Sequence, residues 1–479
     1  MRYLALACDY DETLASEGQV SSITVAVLQR LLATNRKLIL VSGRQLQDLL
    51  SVFPHSNLFE WVVAENGAVL YHSPTREKKL LASPPSPKFI ASLSKRGVPL
   101  SLGDAIISTH QPHDITVEHT IRELGLELQV IFNKGAVMVL PSETNKATGL
   151  VAALKEMRLS PHNVVAIGDA ENDQALLELC ECSVAVANAL PTLQTKADFV
   201  TVAANGGGVR ELIDELIASD LRERDTILAR HHLLLGTSED GKPIAISPFA
   251  SNILLASSSD LERQNVTKAF IGSLYQKHYQ FCLFDPLGEY EPLAGAIVLG
   301  SPTGAPTVDE VINSLNDPVA NAIVNMVRVP GPQRTAFMQE LLIRIQQLRA
   351  RFGRPHWIIV NQAHHALSQS WVPLSLGIPE RLEGMMWITS HFSTIAPSIL
   401  SGVNVSISLG ASVSPLLTDL AALSQNGVPE IDGIKINPGE ALIWLRGNAN
   451  APFKMKLALR IKDSGSCSSS HQDRDAAAD

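Results

Sequence analysis

Two carboxylates, Asp9 and Asp11, end the first apolar run of the chain, which extends from Tyr3 to Cys8. An i, i+2 spacing sends both side chains the same way if the backbone stays extended. Two like charges on one side usually have a cation between them, and Mg²⁺ takes oxygen ligands that include carboxylates and substrate phosphates. A carboxylate can also attack phosphorus as a covalent nucleophile. The segment therefore indicates phosphate chemistry, although a solvated turn with an aspartate helix cap is an alternative for these residues alone.

Two further apolar runs end in polar clusters in the same manner. Lys37–Val41 leads into Ser42-Gly43-Arg44, and Asn163–Ile167 leads into Gly168-Asp169-Ala170-Glu171-Asn172-Asp173. Such runs are typical of strands buried in a parallel sheet, and ligands of open parallel sheets bind outside the carboxyl ends of the strands. We therefore expect an α/β fold in which the three clusters meet at one edge of the sheet.

Lys146 stands where a helix is predicted to begin, in Thr144-Asn145-Lys146-Ala147-Thr148-Gly149. The helix dipole favours acidic residues in a first turn, so a lysine there indicates a functional role. Its charge can balance phosphoryl oxygens while phosphorus is attacked. Glu171 and Asp173, in contrast, also open a helix, where one of them could act only as a cap. Asp169, the last residue of its strand, is the better metal ligand.

With these four segments, residues 1–218 resemble the haloacid dehalogenase (HAD) superfamily of phosphatases, in the Cof-type or sugar-phosphatase branch of class IIB. The resemblance implies a HAD-like Rossmannoid parallel sheet and a cap inserted after the second motif. It also implies roles for individual residues: Asp9 as nucleophile; Asp11 as general acid and base; Ser42, Gly43, Lys146 and Asn172 as phosphate ligands; and Asp9, Asp11, Asp169 and Asp173 as the Mg²⁺ site.

Arg44 and Asn66 are two further candidates for contact with substrate. Arg44 is placed to reach substrate anions, or alternatively to pair with a surface carboxylate. Asn66 belongs to an Asn-Gly turn that also reads as a simple hairpin, but the resembling family uses this loop near the substrate.

The order of the predicted strands and helices divides the first half into a core and an insertion. We expect a core over 1–74 and 141–218 and an inserted α/β cap over 75–140, with Val137–Leu140 returning the chain to the core. A cap that closes over the site excludes water and selects the leaving group, so we expect specificity to reside there. A charged linker helix is predicted over 219–231.

Residues 232–462 resemble a FtsK/HerA-type P-loop ATPase domain, through a strand at Ser251–Ala256, the segment Asp285-Pro286-Leu287-Gly288-Glu289-Tyr290 and a strand at Trp357–Val360. The residues that bind and hydrolyse ATP in such domains are not matched in this sequence. A P-loop requires GxxxxGK[ST], whose backbone N–H groups and lysine hold the phosphates. Here Ser257, Glu262, Arg263 and Gln264 occupy the corresponding positions, and Asn361-Gln362 replace the usual Asp-Glu. We expect a second α/β domain of P-loop type without ATP hydrolysis.

Length, charge and composition limit the number of domains and the classes of protein to which this sequence can belong. The 479 residues suit two or three domains, and a net charge of −9 argues against a broad nucleic-acid-binding face. Five scattered cysteines without metal-ligand spacing are typical of reduced thiols in a cytosol. No apolar stretch approaches the ~20 residues of a membrane helix. The sequence therefore predicts a cytoplasmic protein that does not span a membrane, with a disordered tail over 463–479 rich in Ser, Asp and Ala.

The leading hypothesis is a Mg²⁺-dependent phosphatase that acts on a small phosphorylated metabolite, a sugar or polyol phosphate, through an aspartyl-phosphate, with a C-terminal pseudo-ATPase module. One alternative is a regulatory or assembly protein whose second half binds a partner or a nucleotide. Another is a phosphotransferase. The FtsK/HerA resemblance also implies homo-oligomerisation through the second half.

Overall fold

The computed structural model describes residues 1–133, 135–293, 295–366, 382–391, 394–410, 435–446 and 451–458. Residues 1–219 supply two sheets and eight helices. Their strands are β1 (Ala5–Asp9), β2 (Lys37–Val41), β3 (Trp61–Ala64), β4 (Val69–His72), β5 (Glu77–Leu80), β6 (Ser101–Leu102), β7 (Ile107–His110), β8 (Leu128–Asn133), β9 (Ala136–Pro141), β10 (Val164–Gly168), β11 (Cys182–Ala185) and β12 (Phe199–Val200). Their helices are α1 (Ser22–Leu32), α2 (Leu46–Val52), α3 (Pro87–Lys95), α4 (Asp114–Leu124), α5 (Lys146–Met157), α6 (Gln174–Leu179), α7 (Pro191–Gln194) and α8 (Asn205–Ser219).

The first sheet has the strand order β12-β11-β10-β1-β2-β3-β4-β5. Its first six strands are parallel, and β4 and β5 extend it as an antiparallel edge. Every residue of β1 and β10 is buried, which explains why both strands read as unbroken apolar runs. The expected α/β fold with a HAD-like Rossmann topology is confirmed for this half.

The cap is a four-stranded antiparallel sheet of order β6-β7-β9-β8. Helices α3 and α4 cover it, and their Phe89, Leu93, Val117 and Ile121 form a small core with Val139 of β9. One expected boundary differs from the structure: strand β5, at 77–80, pairs with β4 and belongs to the core sheet, although the cap was expected to begin at 75. Val137–Leu140, expected to lead the chain back to the core, belongs to the cap, because its strand β9 pairs with β7 and β8 on its two sides.

The predicted linker helix over 219–231 is absent from the structure. Helix α8 ends at Ser219, and Asp220 and Leu221 adopt left-handed φ angles of 56° and 58°, which stops the helix. Two single 3-10 turns follow, at Arg222–Arg224 and Ala229–His231.

The second half is built on one 11-stranded sheet of order β14-β13-β23-β22-β21-β15-β20-β19-β16-β18-β17. Its strands are β13 (Leu233–Ser238), β14 (Pro243–Ile246), β15 (Asn252–Ala256), β16 (Phe281–Asp285), β17 (Ala296–Leu299), β18 (Asn321–Asn325), β19 (Trp357–Val360), β20 (Met385–Thr389), β21 (Val405–Ser408), β22 (Glu440–Leu445) and β23 (Phe453–Leu457). Its helices are α9 (Asp260–Gln276), α10 (Val308–Leu315), α11 (Gly331–Phe352), α12 (Ala363–Ala366) and α13 (Pro397–Gly402).

Strands β21 to β17 of this order are parallel, and the other four are antiparallel. Helix α11 buries Met338, Leu341, Leu342, Ile345 and Leu348, as expected for a core-facing helix. The predicted tail at 463–479 lies outside the described residues. Within the described residues, no helix is long and apolar enough to cross a membrane.

The two halves pack against each other. One cluster of buried apolar side chains includes Leu6 and Ile167 of the first sheet together with Leu254 and Phe284 of the second. Polar contacts reinforce it: the guanidinium of Arg354 donates to the carbonyl of Arg158 at 2.8 and 3.1 Å. Cys8, Cys180, Cys182 and Cys282 are buried free thiols.

Candidate active site

The site forms where three neighbouring strands end. Strand β1 pairs in parallel with β2 on one side and with β10 on the other. Asp9 closes β1, Ser42 directly follows β2, and Asp169 directly follows β10. The expectation that the three polar clusters meet at one edge of the sheet is therefore confirmed.

Asp9, Lys146 and Asp173 form a buried charge cluster. The Lys146 ammonium donates to Asp9 Oδ1 at 2.5 Å and to Asp173 Oδ1 at 2.7 Å. All three side chains are 5% exposed or less. Lys146 is the first residue of α5, which Asn145 caps by accepting from Thr148 N–H at 3.0 Å, so the helix start aims the lysine at the end of β1. Burying a lysine beside two carboxylates carries a desolvation cost, so its presence here supports a functional role for Lys146.

Asp173 is held by the backbone of the loop that carries Asp169. Its Oδ2 accepts the N–H groups of Asp169 and Ala170, each at 3.0 Å. Asp169 Oδ1 in turn accepts from the Thr13 hydroxyl at 3.1 Å. Gly168 leaves room for this arrangement, because a β-carbon there would lie 2.6 Å from Asp173 Cγ. These contacts fix the two carboxylates before any ligand binds.

Asp9, Asp169 and Asp173 each offer a carboxylate oxygen within 4.8 Å of the others. Three buried carboxylates with oxygen donors match the ligand preference of Mg²⁺. The side chain of Asp11 is not part of this group.

The cluster shifts the titration of its members. Burial, reinforced by the Asp173 carboxylate, raises the pKa of Asp9, and the Lys146 charge opposes this rise. Burial alone would lower the pKa of Lys146, but Asp173 and Asp9 outweigh it and raise the pKa above its ordinary value. The lysine is therefore a permanent positive charge beside Asp9.

Asp11 has a separate partner. The Arg44 guanidinium donates from Nε and Nη2 to the Asp11 carboxylate at 2.8 to 3.0 Å, and from Nη1 to Asp48 at 2.7 Å. The hydrogen bonds to Asp11 raise the pKa of Arg44. Both side chains are about one-third exposed, at 29% for Arg44 and 37% for Asp11. Arg44 thus orients Asp11 at the solvent side of the site while Asp9 stays buried.

Four further predicted site residues lie together at this edge of the sheet: Ser42, Gly43, Asn66 and Asn172. The Ser42 side chain is fully buried, and its hydroxyl accepts from the Arg44 N–H at 3.1 Å. Asn172 donates to Asn66 Oδ1 at 2.9 Å, and a β-carbon at Gly43 would lie 3.2 Å from that same oxygen. Asn172 Oδ1 is buried and has no hydrogen-bond partner. The two asparagines therefore join the loops that follow β3 and β10.

Glu65 was not predicted to take part in the site. It precedes Asn66 in the turn after β3, and its carboxylate is buried against the cap. A buried glutamate in a turn is unusual, but its backbone donors come from residues about 40 positions later. No short-range pattern could have identified that pairing.

The residues expected to replace a nucleotide site lie at the carboxyl edge of the second sheet. Helix α9 begins at Asp260, only three residues after β15 ends, with Ser259 as its N-cap. Arg263 is 3% exposed and folds back to donate to the Ser257 carbonyl and to Asp260. Glu262 accepts from the Ser257 hydroxyl at 2.9 Å. Gln264 follows on the same helix.

Asn361 and Gln362 follow β19 at this edge. Their amide groups donate to the two oxygens of Glu289 at 2.8 and 3.2 Å. Neither position carries a carboxylate, and both side-chain amides are engaged as donors to the Glu289 carboxylate.

Comparison with known proteins concerns the first half. The model of the haloacid dehalogenase-like hydrolase family matches residues 6–110 and 105–213. Phosphoglycolate phosphatase 2 of Saccharolobus solfataricus is 29% identical over 224 residues, which are 45% of this chain and 94% of that protein. Phosphoglycolate phosphatase of Methanothermobacter thermautotrophicus is 30% identical over 219 residues, 44% of this chain and 96% of that protein.

A haloacid dehalogenase-like hydrolase from Bacteroides thetaiotaomicron is among the similar solved structures, with a TM-score of 0.40 and 20% identity over 45% of this chain and 99% of that one. The assignment itself rests on the sequence relatives, since the chain covers nearly their whole length. The chain therefore belongs to the haloacid dehalogenase-like hydrolase family, and its first half is a phosphatase of that family, a hydrolase of phosphoric monoesters.

Proposed function

We propose that the first half is a Mg²⁺-dependent phosphomonoester hydrolase that works through an aspartyl-phosphate on Asp9. The observation that carries the proposal is the buried contact of Lys146 with both Asp9 and Asp173, at the end of the central strand. This contact supports the proposal, because phosphoryl transfer through an aspartyl-phosphate needs a carboxylate nucleophile and a positive charge that neutralises the phosphoryl oxygens.

Each residue has a distinct task in this scheme. Asp9 attacks phosphorus in line, and Lys146 neutralises charge on the phosphoryl oxygens, assisted by Ser42, Gly43 and Asn172. Asp11, oriented by Arg44, protonates the leaving alkoxide and then takes a proton from the water that hydrolyses the aspartyl-phosphate. The contrast between buried Asp9 and the one-third-exposed side chain of Asp11 supports this division between nucleophile and proton carrier.

Asp9, Asp169 and Asp173 are proposed to hold the Mg²⁺. Their three carboxylates fit a hard cation, and their backbone and hydroxyl contacts already restrict two of them. The Asp11 side chain is bound by Arg44, so any part of Asp11 in metal binding would involve its main chain or a rotated side chain. A bound Mg²⁺ supplies charge neutralisation for the phosphate.

The proposed substrate is a small phosphorylated metabolite, a sugar or polyol phosphate, as the sequence predicted. Two of the relatives are named phosphoglycolate phosphatases, which adds a short phosphorylated acid to the class to be tested. The guanidinium of Arg44, which is about one-third exposed beside Asp11, is proposed to bind the carboxylate of such a substrate.

The test is release of inorganic phosphate from a panel of sugar phosphates, polyol phosphates, phosphoglycolate and nucleotides, with added Mg²⁺ or with EDTA. We expect turnover with Mg²⁺ of at least one small ester and loss of at least 100-fold of the rate in EDTA, because metal-assisted charge neutralisation is worth several kcal/mol. Product analysis with added alcohols separates hydrolysis from phosphotransfer. Equal rates with and without EDTA would contradict the metal proposal.

For the second half we propose a P-loop-like fold that does not hydrolyse ATP and serves as a binding or assembly module. The strand–turn–helix unit of β15 and α9 supports the fold, since it is the unit that a P-loop occupies. Arg263 supports the loss of activity: its side chain fills the space inside the turn and is already bonded to Ser257 and Asp260. Asn361 and Gln362 offer no carboxylate to a metal or to an attacking water.

ATP turnover tests this proposal on the full-length chain carrying Asp9→Asn, which silences the first half. We expect phosphate release from Mg²⁺-ATP at the level of buffer alone, because the turn after β15 has no open nest of N–H groups for phosphates. Turnover of ATP by this variant, abolished by a further change at Arg263, would refute the proposal.

A further inference from the structure

One buried carboxylate of the first half has no task in the chemistry proposed above. Glu65 is 1% exposed and accepts three backbone N–H groups of the cap. Asp104 donates to Oε1 at 2.9 Å, and Ala105 and Ile106 donate to Oε2 at 2.8 and 3.1 Å. These donors lie in the turn between β6 and β7. Charge-assisted bonds of this kind are about twice as strong as neutral ones, so the contact holds the cap firmly.

The turn that carries Glu65 also touches three of the core segments that line the site: the loops after β2 and β10 and the start of α5. The N–H groups of Glu65 and Asn66 donate to the carbonyls of Arg44 and Ser42 at 2.9 and 3.1 Å. Asn66 accepts from Asn172 at 2.9 Å. Gly67 lies against the N-cap of α5, where a β-carbon would be 1.9 Å from the Asn145 carbonyl.

The backbone of this turn is held in an uncommon conformation. Glu65 and Asn66 both have left-handed φ angles, 54° and 51°, which non-glycine residues rarely adopt. Such strain persists only where surrounding contacts determine it, and it is frequent at functional sites. In this conformation the Glu65 side chain binds the cap alone, whereas the Asn66 side chain binds both bodies: its Oδ1 accepts from Asn172 of the core at 2.9 Å, and its Nδ2 donates to Met138 Sδ of the cap strand β9 at 2.9 Å.

From these contacts we infer that Glu65 is a positioning residue that sets the cap in register with the catalytic loops and thereby determines how tightly the leaving group of the substrate is held. The inference rests on the proposed phosphatase function for its catalytic consequence. Glu65 does not touch the reacting atoms. It acts through the 104–106 segment of the cap on one side and through Asn66 on the other.

Gly103 shows how closely the cap approaches this carboxylate. A β-carbon at Gly103 would lie 2.7 Å from both Glu65 oxygens, a distance that requires the carboxylate or the cap to move. The cap segment is therefore fitted to a glutamate at position 65, and the same contact can be disturbed from either side.

The first test is Glu65→Gln, which keeps the shape but turns an amide NH₂ towards backbone donors. The matched control is Glu77→Gln, an exposed glutamate of β5. Amide hydrogen exchange of peptides covering 104–106 is expected to accelerate about tenfold or more in Glu65→Gln and to be unchanged in the control. KM for the fastest ester of the substrate panel is expected to rise about tenfold or more.

The small aryl ester p-nitrophenyl phosphate distinguishes a loosened cap from a general structural defect. A general defect would also lower kcat for this ester. Its kcat is expected to stay within about twofold in Glu65→Gln, because the reacting groups keep their places and only the docking of the cap is loosened. Unchanged exchange at 104–106, or faster exchange with unchanged KM, would overturn the inference. An equal fall of kcat for both esters would also overturn it, since that marks damage to the chemistry itself.

If Glu65→Gln does not fold, Gly103→Ala disturbs the contact from the cap. It is expected to accelerate exchange at 104–106 and to raise KM about tenfold or more while kcat for p-nitrophenyl phosphate stays within about twofold, because the added methyl group displaces the Glu65 carboxylate or the cap segment and leaves the reacting groups in place. Unchanged exchange or unchanged KM in Gly103→Ala would refute the inference. If the wild type hydrolyses no ester, the phosphatase proposal fails, whereas the exchange measurements still decide whether Glu65 anchors the cap.

Discussion

Asp9→Asn is expected to lower kcat for phosphate release by about 10⁴-fold or more, because an amide cannot replace the carboxylate that attacks phosphorus. The fold is expected to survive, since Asn has the same shape and Lys146 keeps its 2.7 Å contact with Asp173. Loss of one of two carboxylates at the lysine removes charge from a buried cluster without leaving the lysine unpaired.

The measurement is single-turnover and steady-state phosphate release with the fastest panel ester, alongside circular dichroism and thermal unfolding. Asp214→Asn is the matched control, because Asp214 makes an exposed ion pair with Arg30 far from the site in sequence and is 56% exposed. Acid-quenched enzyme should carry a phosphoryl group in the wild type and none in Asp9→Asn. Activity of the variant within tenfold of wild type would exclude Asp9 as the nucleophile.

Glu181→Gln is expected to destabilise the whole chain by about 3–5 kcal/mol, the usual effect of removing one partner from a buried ion pair. Glu181 is 1% exposed and accepts from His162 at 2.6 Å, from Tyr279 at 2.7 Å and from Arg2 at 3.0 Å. His162 also contacts the Lys277 carbonyl through its other ring nitrogen at 2.7 Å. Tyr279 and Lys277 belong to the second half, so this carboxylate joins the two halves.

Glu181 must be charged for this role. Burial by itself would raise the pKa of the carboxyl group, but the hydrogen bond and charge of His162, together with Arg2, hold the pKa of Glu181 well below its usual range. Because the folded pKa is lowered, the stabilisation is complete above the unfolded pKa of about 4.3 and is lost as pH falls further. At pH 7 the variant therefore lacks the full contribution, and the difference from wild type should shrink in acid.

Urea unfolding followed by tryptophan fluorescence at pH 7 and at about pH 3, well below the unfolded pKa, measures both effects. Glu178→Gln is the control: Glu178 lies three residues earlier, is exposed and bonds only Gln174 through its side chain. In Glu181→Gln we also expect the single transition to separate into two, because the halves lose a charged contact at their junction. A variant as stable as the control would show that the cluster contributes no net stability.

This junction lies at the edge of the first sheet opposite to the catalytic site. Arg2 precedes β1, His162 precedes β10 and Glu181 precedes β11, whereas Asp9 and Asp169 stand at the carboxyl ends of the strands. A ligand of the second half would therefore influence catalysis through the sheet and its helices and not by direct contact with the substrate.

Short-range patterns in the chain were sufficient to predict the three strand ends that meet at the proposed active site. Apolar runs that stop at polar residues mark the ends of buried parallel strands, and parallel neighbours place such ends together. Lys146 was recognisable because its position opposes the helix dipole. The cap and the second half were also predicted as α/β units, although β5 was placed in the cap and not in the core sheet.

The sequence by itself thus determined the family, the parallel sheet and the four catalytic segments, because these depend on local periodicity and on residue types at strand and helix ends. Only the tertiary structure decided the partners: Arg44 on Asp11, Glu65 on the cap and Glu181 on the second half. The physical reason is that a buried charge is satisfied by whichever donors the packed chain brings to it, and sequence spacing carries no record of contacts between residues 33 to 98 positions apart.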